Sequence, residues 1–316
     1  NKDLIIMTRG FFEEAKTGMQ LLYVVFIFIS SWVVFQLVSI FTGLWIFNLD
    51  INTAMRSLDN LNDIRMIGYL KYIQSITSIG MFMVSSFVIA WSISKNPLRF
   101  LKIHHFPGFF VTVLVVFLTV FTLPMNNYFT YVNNQLMLPE KLSGLQMFFE
   151  NKEAQVEELM NAFLSGGGTI LLLVNIIVIG LIPALGEELI FRGVIQKLLI
   201  KAFRNIHLGV FVTAFLFGAF HFQFLSFLPR FILGIILGYL FVWSGSLWMP
   251  ILMHFINNSL AVVYYHFYFD GRADDTLEVV GTPGNDAVYT ALSIVVVTLI
   301  LFVIRRIRLE NQKQTN

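Results

Sequence analysis

Residues 169–192 read TILLLVNIIVIGLIPALGEELIFR. The first eighteen, Thr169 to Gly186, hold no charged side chain, and then Glu187 and Glu188 stand side by side with Arg192 following. A helix rises about 1.5 Å per residue and needs about 20 residues to cross the hydrocarbon, so this apolar run is long enough to enter a bilayer with the acids at or near its end. An ionised carboxylate at mid-membrane costs roughly 3 kcal/mol on insertion scales. Two neighbouring acids persist there only if they are paired, protonated or facing a wet cavity.

The rest of the chain has the same character. Of 316 residues, 57% are hydrophobic and 13% charged, with a mean hydropathy of +0.75, which lies outside the range of soluble globular domains. Runs free of Asp, Glu, Lys and Arg occupy 17–49, 73–94, 103–139, 169–186, 205–229, 231–269 and 287–304. The 231–269 run is too long for one span and breaks at Ser244-Gly245-Ser246, a turn signal. The expectation is an all-α polytopic membrane protein. About eight transmembrane helices would form one bundle with an intramembrane cavity, and residues 1–316 would make a single membrane domain.

Charge distribution gives the orientation. Basic segments at 95–105 (Lys95, Arg99, Lys102), at 197–204 (Lys197, Lys201, Arg204) and in the tail (Arg305, Arg306, Arg308, Lys313) should be cytoplasmic. They alternate with acidic stretches around Asp50, Asp59 and Asp63, from Glu140 to Glu158, and from Asp270 to Asp286. Eight spans then place both termini in the cytoplasm, as expected of an integral protein of a bacterial inner or cell membrane. The net charge of +2 gives no support to nucleic-acid binding. The absence of cysteine excludes disulfides, thiolate catalysis and cysteine-ligated metals. The first twenty residues mix acids and bases and show no small-residue cleavage site, which argues against a removable signal peptide.

The largest piece outside the apolar runs, roughly 126–165, contains an acidic helical stretch from Gln146 to Phe163 whose apolar residues recur at helical spacing. It reads as a helix on the outer face, with covering the core or admitting substrate as the alternative. Spans 1 to 3 and 8 read as scaffold with no buried charge. His104, His105, His207 and His266 read as interfacial, and Gly234-x-x-x-Gly238 as a close helix-packing motif.

On a helix, Glu188 and Arg192 are four apart and share a face, while Glu187 is rotated by about 100°. One acid can be held by the arginine and the other left free. Phe217 and His221, and again His254 and Asn258, are also i and i+4, so three helices present polar pairs as single stripes. Counted from the cytoplasmic side, Glu187 and His221 each lie about 21 Å in and can meet. His254 starts only eight residues past Ser246 and is shallower. Either the uncharged turn from Ser244 to Pro250 dips into the membrane, or the helix before Glu187 bends at Pro183. Buried polar residues of membrane bundles often only tie helices together, but six of them converging suggest hydrolytic chemistry.

Glu187-Glu188-x-x-x-Arg192, Phe217-x-x-x-His221 and His254-x-x-x-Asn258, with the flanks Gly186, Phe191-Arg192-Gly193 and Gly245-Ser246-Leu247-Trp248, closely resemble the signature of the CAAX protease and bacteriocin-processing family of intramembrane endopeptidases. The resemblance covers residues 168–262, which would be the catalytic core, and implies the eight-span fold of the type II CAAX prenyl endopeptidases. It implies Glu187 as general base, acting on water that His221 helps to hold. Glu188 paired to Arg192 would brace the site, and His254 and Asn258 would serve the oxyanion. The family is commonly classed with metalloproteases, and one carboxylate with two histidines is an accepted zinc set. Both readings stay open here, water activated by Glu187 alone and a divalent zinc ion on Glu187, His221 and His254. The expected partners are membrane lipids and a membrane-associated peptide or protein substrate. The competing functions are a non-catalytic immunity or scaffold protein that binds a peptide, and a transporter, for which the inverted repeat is missing.

Overall fold

The computed structural model describes residues 9–166, 168–269, 279–284 and 287–315. Most of the acidic loop expected at Asp270 to Asp286 lies outside them. Among the described residues there is no strand, and nine long helices account for the architecture: α1 (Thr17–Ile46), α2 (Ile64–Ile93), α3 (Phe109–Asn134), α4 (Ser143–Leu164), α5 (Thr169–Phe203), α6 (Ile206–Phe220), α7 (Phe227–Ser244), α8 (Trp248–Phe269) and α9 (Ala287–Thr315). Setting aside α4, eight helices remain, one for each expected span. Six are long and apolar enough to cross a membrane, namely α1, α2, α3, α5, the α7 segment and α9. The α6 helix is short at 15 residues, and α8 carries the polar residues His254, Asn257, Asn258 and Ser259.

The helix ends follow local chemistry. Arg204 adopts a left-handed conformation (φ 51°) and ends α5, after which the Asn205 side chain caps α6 by accepting from the Leu208 N–H at 3.1 Å. Gly245, at φ 75°, ends α7 and donates its N–H to Phe241 O at 3.1 Å, the glycine cap that the Ser-Gly-Ser signal implied. Pro124 inside α3 cannot donate to the turn before it. Ser293 and Thr290 of α9 donate their hydroxyls to the nearby carbonyls of Phe121 and Pro124, which satisfies polar backbone where water is scarce.

Two large apolar cores result, besides a small one of Leu49, Ala54, Met66 and Tyr69. One gathers Val24 of α1, Phe82 and Ile89 of α2, Ile190 and Phe191 of α5 and Phe217 of α6. The other gathers Val115 and Leu118 of α3 with Val297 and Leu301 of α9. The α7/α8 hairpin supplies both, giving Phe241 and Ile251 to the first and Leu237 and Met253 to the second. The hairpin is therefore the seam of the bundle.

Three expectations are corrected. The second span starts at Ile64, not at residue 73, and so takes in Lys71. Lys71 is buried, with Nζ donating to Phe163 O at 2.9 Å and to Asn175 Oδ1 at 2.7 Å, so the early spans do hold a buried charge. A lysine can be helical and buried when its protons find such acceptors, which a search for charge-free runs cannot register. The fourth span does not end near the acids either. The α5 helix runs 35 residues from Thr169 to Phe203 and carries Glu187 and Glu188 in its middle.

Candidate active site

The α5 helix is not uniform. Two π-helical segments, Ile176–Leu181 and Phe191–Ile195, flank the α-helical turns that carry the acids. The first ends two residues before Pro183, where its wider turn accommodates the missing N–H. Its displaced backbone is used: Asn258 of α8 donates Nδ2–H to Ile179 O at 3.3 Å. Gly180 and Gly186 permit this packing, because a Cβ at Gly180 would come 2.8 Å from Ser259 Oγ and one at Gly186 2.8 Å from Phe82 Cβ.

The depth of His254 is explained from the other side. Ser246 and Leu247 are fully buried, and the loop after α2 covers the turn. Ser246 Oγ donates to His105 O at 2.6 Å, the Leu247 N–H to Lys102 O at 3.1 Å, and Trp248 Nε1–H to Ile103 O at 2.9 Å. The turn is tucked beneath residues 102–105, so α8 begins deep enough for His254 to reach the acids.

The two acids take different places. Glu188 has no exposed side-chain surface, and its Oε1 accepts from Arg192 Nη1 at 2.7 Å and from His254 Nδ1 at 2.9 Å. Arg192 is just as buried. It donates Nη2–H to Gly234 O at 3.2 Å and lies 4.5 Å from the centre of the Phe217 ring. Glu187 keeps 12% of its side chain exposed, and its Oε2 stands 3.9 Å from His254 Nε2. The arginine has taken one acid and left the other free.

The histidine tautomers follow from their partners. A carboxylate or a carbonyl oxygen only accepts, so His254 donates Nδ1–H to Glu188, and His221 donates Nδ1–H to Phe217 O at 2.9 Å. Nε2 of each ring is then left for other partners, and that of His254 faces Glu187. The Phe217 ring joins the histidines, with its centre 5.3 Å from that of His221 and 5.9 Å from that of His254. Asn258 sits one turn beyond His254 on α8. It spends one N–H on Ile179 O, while its Oδ1 accepts from Asn257 at 3.4 Å.

The structure thus joins Glu187, Glu188, Arg192 and His254 directly, attaches His221 through Phe217, and ties Asn258 to the α5 backbone. Among the described residues no group of three or more His, Cys, Asp or Glu side chains is placed to hold a metal ion. A groove of about 300 Å³ lined by Asn205, His207, Phe211 and Tyr239 lies elsewhere, and no motif residue lines it.

Charge-run reasoning passed over two contributors, Gln196 and Arg230, and left the role of the outer helix open. Gln196 follows Arg192 by one turn and donates Nε2–H to Gly238 O at 3.0 Å, so Gly234 and Gly238 receive Arg192 and Gln196 in register. The packing motif serves the acids as well as the helices. The outer helix α4 covers the site: Phe149 stacks on Phe224 at 5.6 Å, and Ser226 donates its hydroxyl to Glu153. Arg230 opens α7 as the sole Asp, Glu, Lys or Arg between residues 205 and 269, and the argument that singled out Glu187 applies to it equally.

Residues 169–260, which run from the first residue of α5 into α8 and contain all six motif residues, match the family described as type II CAAX prenyl endopeptidase Rce1-like. This segment is similar to that family. It coincides with the α5–α8 core and includes the seam of the bundle. The chain also resembles the uncharacterized protein YpbD of Bacillus subtilis (strain 168), 32% identical over 97 residues, or 29% of this chain and 47% of the relative. The chain thus covers about half the length of that relative. No solved structure matches.

Proposed function

We propose that the chain is an intramembrane endopeptidase of the CAAX-protease type, which hydrolyses a peptide bond in a membrane-associated peptide or protein. The observation that carries this reading is the division of labour between adjacent acids. Glu188 is held by Arg192 and His254 with no exposed surface, while Glu187 is partly exposed, with its Oε2 3.9 Å from His254 Nε2. The Rce1-like match over the same residues supports it.

The chemistry follows from these residues alone, and no step runs through a metal. Glu187 takes a proton from a water as its oxygen bonds to the peptide carbonyl carbon, and the carbonyl π pair moves onto oxygen. Glu187 then gives the proton to the amide nitrogen as the C–N bond breaks, releasing an amine and a carboxylic acid, which ionises in solution. His221 holds the water through its Nε2 lone pair, accepting the proton that Glu187 does not take, and the remaining N–H of Asn258 is free to donate to the oxyanion. Glu188 and Arg192 keep His254 in one tautomer. Both termini face the cytoplasm, as the basic segments indicate.

The test is cleavage of a pool of fluorogenic peptides, with and without an S-linked isoprenyl chain, by the purified chain in liposomes. Cleavage by the wild type and its loss in Glu187→Gln are expected. Equal cleavage by both would remove Glu187 as the base, and binding without any cleavage would favour the peptide-binding scaffold.

A further inference from the structure

Arg230 is placed by a rigid frame. Asn133, at the end of α3, donates Nδ2–H to Phe224 O at 2.9 Å and accepts the Leu228 N–H at 2.7 Å. From above, Phe149 stacks on Phe224, and Ser226 holds Glu153 of α4. The backbone that presents the guanidinium is therefore fixed on both sides. Arg230 Nη1 is buried with no hydrogen-bond partner, and so is Glu153 Oε2. Arg230 lies in the first turn of α7, which packs on the last turn of α6 at Gly218 and Phe227, next to His221, and it stands one turn before Gly234, whose carbonyl accepts from Arg192 Nη2 at 3.2 Å. A cation with an uncommitted, buried N–H thus stands at the His221 end of the α6/α7 pair.

Most of the other donors there are spent. Arg192 gives Nη1 to Glu188 and Nη2 to Gly234 O and keeps an unpartnered Nε–H inside its buried pair, the Nδ1–H groups of His254 and His221 serve Glu188 and Phe217 O, and Asn258 gives one N–H to Ile179 O. Peptide hydrolysis moves a negative charge. It leaves Glu187 when the carboxylate takes the proton of water, and it appears on the carbonyl oxygen as the C–O bond forms. A fixed cation beside that path stabilises the charge before and after the transfer without reorganising.

We infer that Arg230 is a further catalytic residue, supplying the positive charge for the oxyanion of the tetrahedral intermediate, with Glu153 and Ser226 as positioning residues; the inference rests on the endopeptidase reading. Glu153 couples the covering helix α4 to the chemistry through this arginine.

The experiment uses the full chain in liposomes with the same peptide pool. In Arg230→Ala, kcat should fall by about 100-fold, the order found on removing one oxyanion donor, with KM little changed. Millimolar guanidinium should restore part of kcat in Arg230→Ala and none in Glu187→Gln, and Arg230→Lys should retain more activity than Arg230→Gln. If the alanine variant melts, Arg230→Gln, which keeps most of the bulk and loses the charge, carries the comparison. Wild-type kcat in Arg230→Gln, or a loss that guanidinium leaves untouched while the melting point drops, overturns the catalytic role and leaves the endopeptidase reading standing. Failure of the wild type to cleave any peptide of the pool overturns both.

Discussion

Replacing Arg192 with methionine tests the buried brace most directly. Both partners have no exposed side-chain surface, and they meet at 2.7 Å. The substitution removes that contact, the bond to Gly234 O and the stacking on Phe217, and it leaves Glu188 with His254 as its one remaining donor. Stranding one member of a buried pair costs about 3 to 5 kcal/mol. At about 1.4 kcal/mol per decade the unfolding equilibrium should shift between roughly a hundredfold and a few thousandfold. Pairing it with Glu188→Gln should recover much of the loss, because no charge is then left buried and the amide oxygen can still accept from His254. Denaturant titration in detergent micelles, followed by circular dichroism on the wild type, both single variants and the double variant, measures the coupling. An Arg192→Met single variant as stable as wild type, or a double variant that loses the full sum of the singles, would refute the stranded-charge argument.

The remaining expectations concern other parts of the molecule. Glu187→Gln should lose cleavage by at least about a hundredfold with its melting point held or raised, since its nearest basic atom is 3.9 Å away; parallel melting and cleavage measurements check this. Gly234→Leu should destabilise by about 1 to 3 kcal/mol, because a Cβ there already meets Ala214 Cβ at 3.0 Å and Cα at 3.1 Å; stability comparable to wild type would contradict the close α6/α7 approach. Burial, and then the charge of Arg308, lowers the Lys102 pKa from 10.5 to about 8, so the unfolded chain binds more protons between those values and stability rises with pH across that window. Below pH 8 the cost is at most about 3 kcal/mol, and Lys102→Met should melt higher than wild type there, the gain disappearing by pH 10.5 in a series of melts. Single cysteines introduced at positions 100, 205 and 316 of this cysteine-free chain should label only from the cytoplasmic side, and an outward signal from any of them breaks the topology.

Much of this was legible because polar residues are costly in hydrocarbon and so carry information wherever they occur. The charge-free runs located the spans, and the i, i+4 pairs located Glu188 with Arg192 and Phe217 with His221. The same rule failed where a charge is satisfied internally. Lys71 was mistaken for the edge of a span because its acceptors, Phe163 O and Asn175 Oδ1, lie 92 and 104 positions away. The acids of α5 were mistaken for its end because the Arg192 pairing lets the helix continue through them. Arg230 was treated as a boundary between two runs. The depth of His254 depended on residues 102–105 folding over the Ser246 turn, a long-range contact with no local signature.

The π segment at Ile176–Leu181 makes α5 sensitive to its residue count in a way that a loop is not. A wide turn holds one residue more than the α-helical path requires. Deleting one residue there would return the helix to regular winding with its two halves still in phase, keeping Asn175 by Lys71 and Glu188 by Arg192 but withdrawing the displaced Ile179 carbonyl that receives Asn258. The same deletion in a regular turn of α5 would instead rotate one half by about 100° against the other. A frame-preserving loss of a single apolar codon would therefore loosen α8 alone when it falls in the wide turn, and misalign the whole span when it falls outside it.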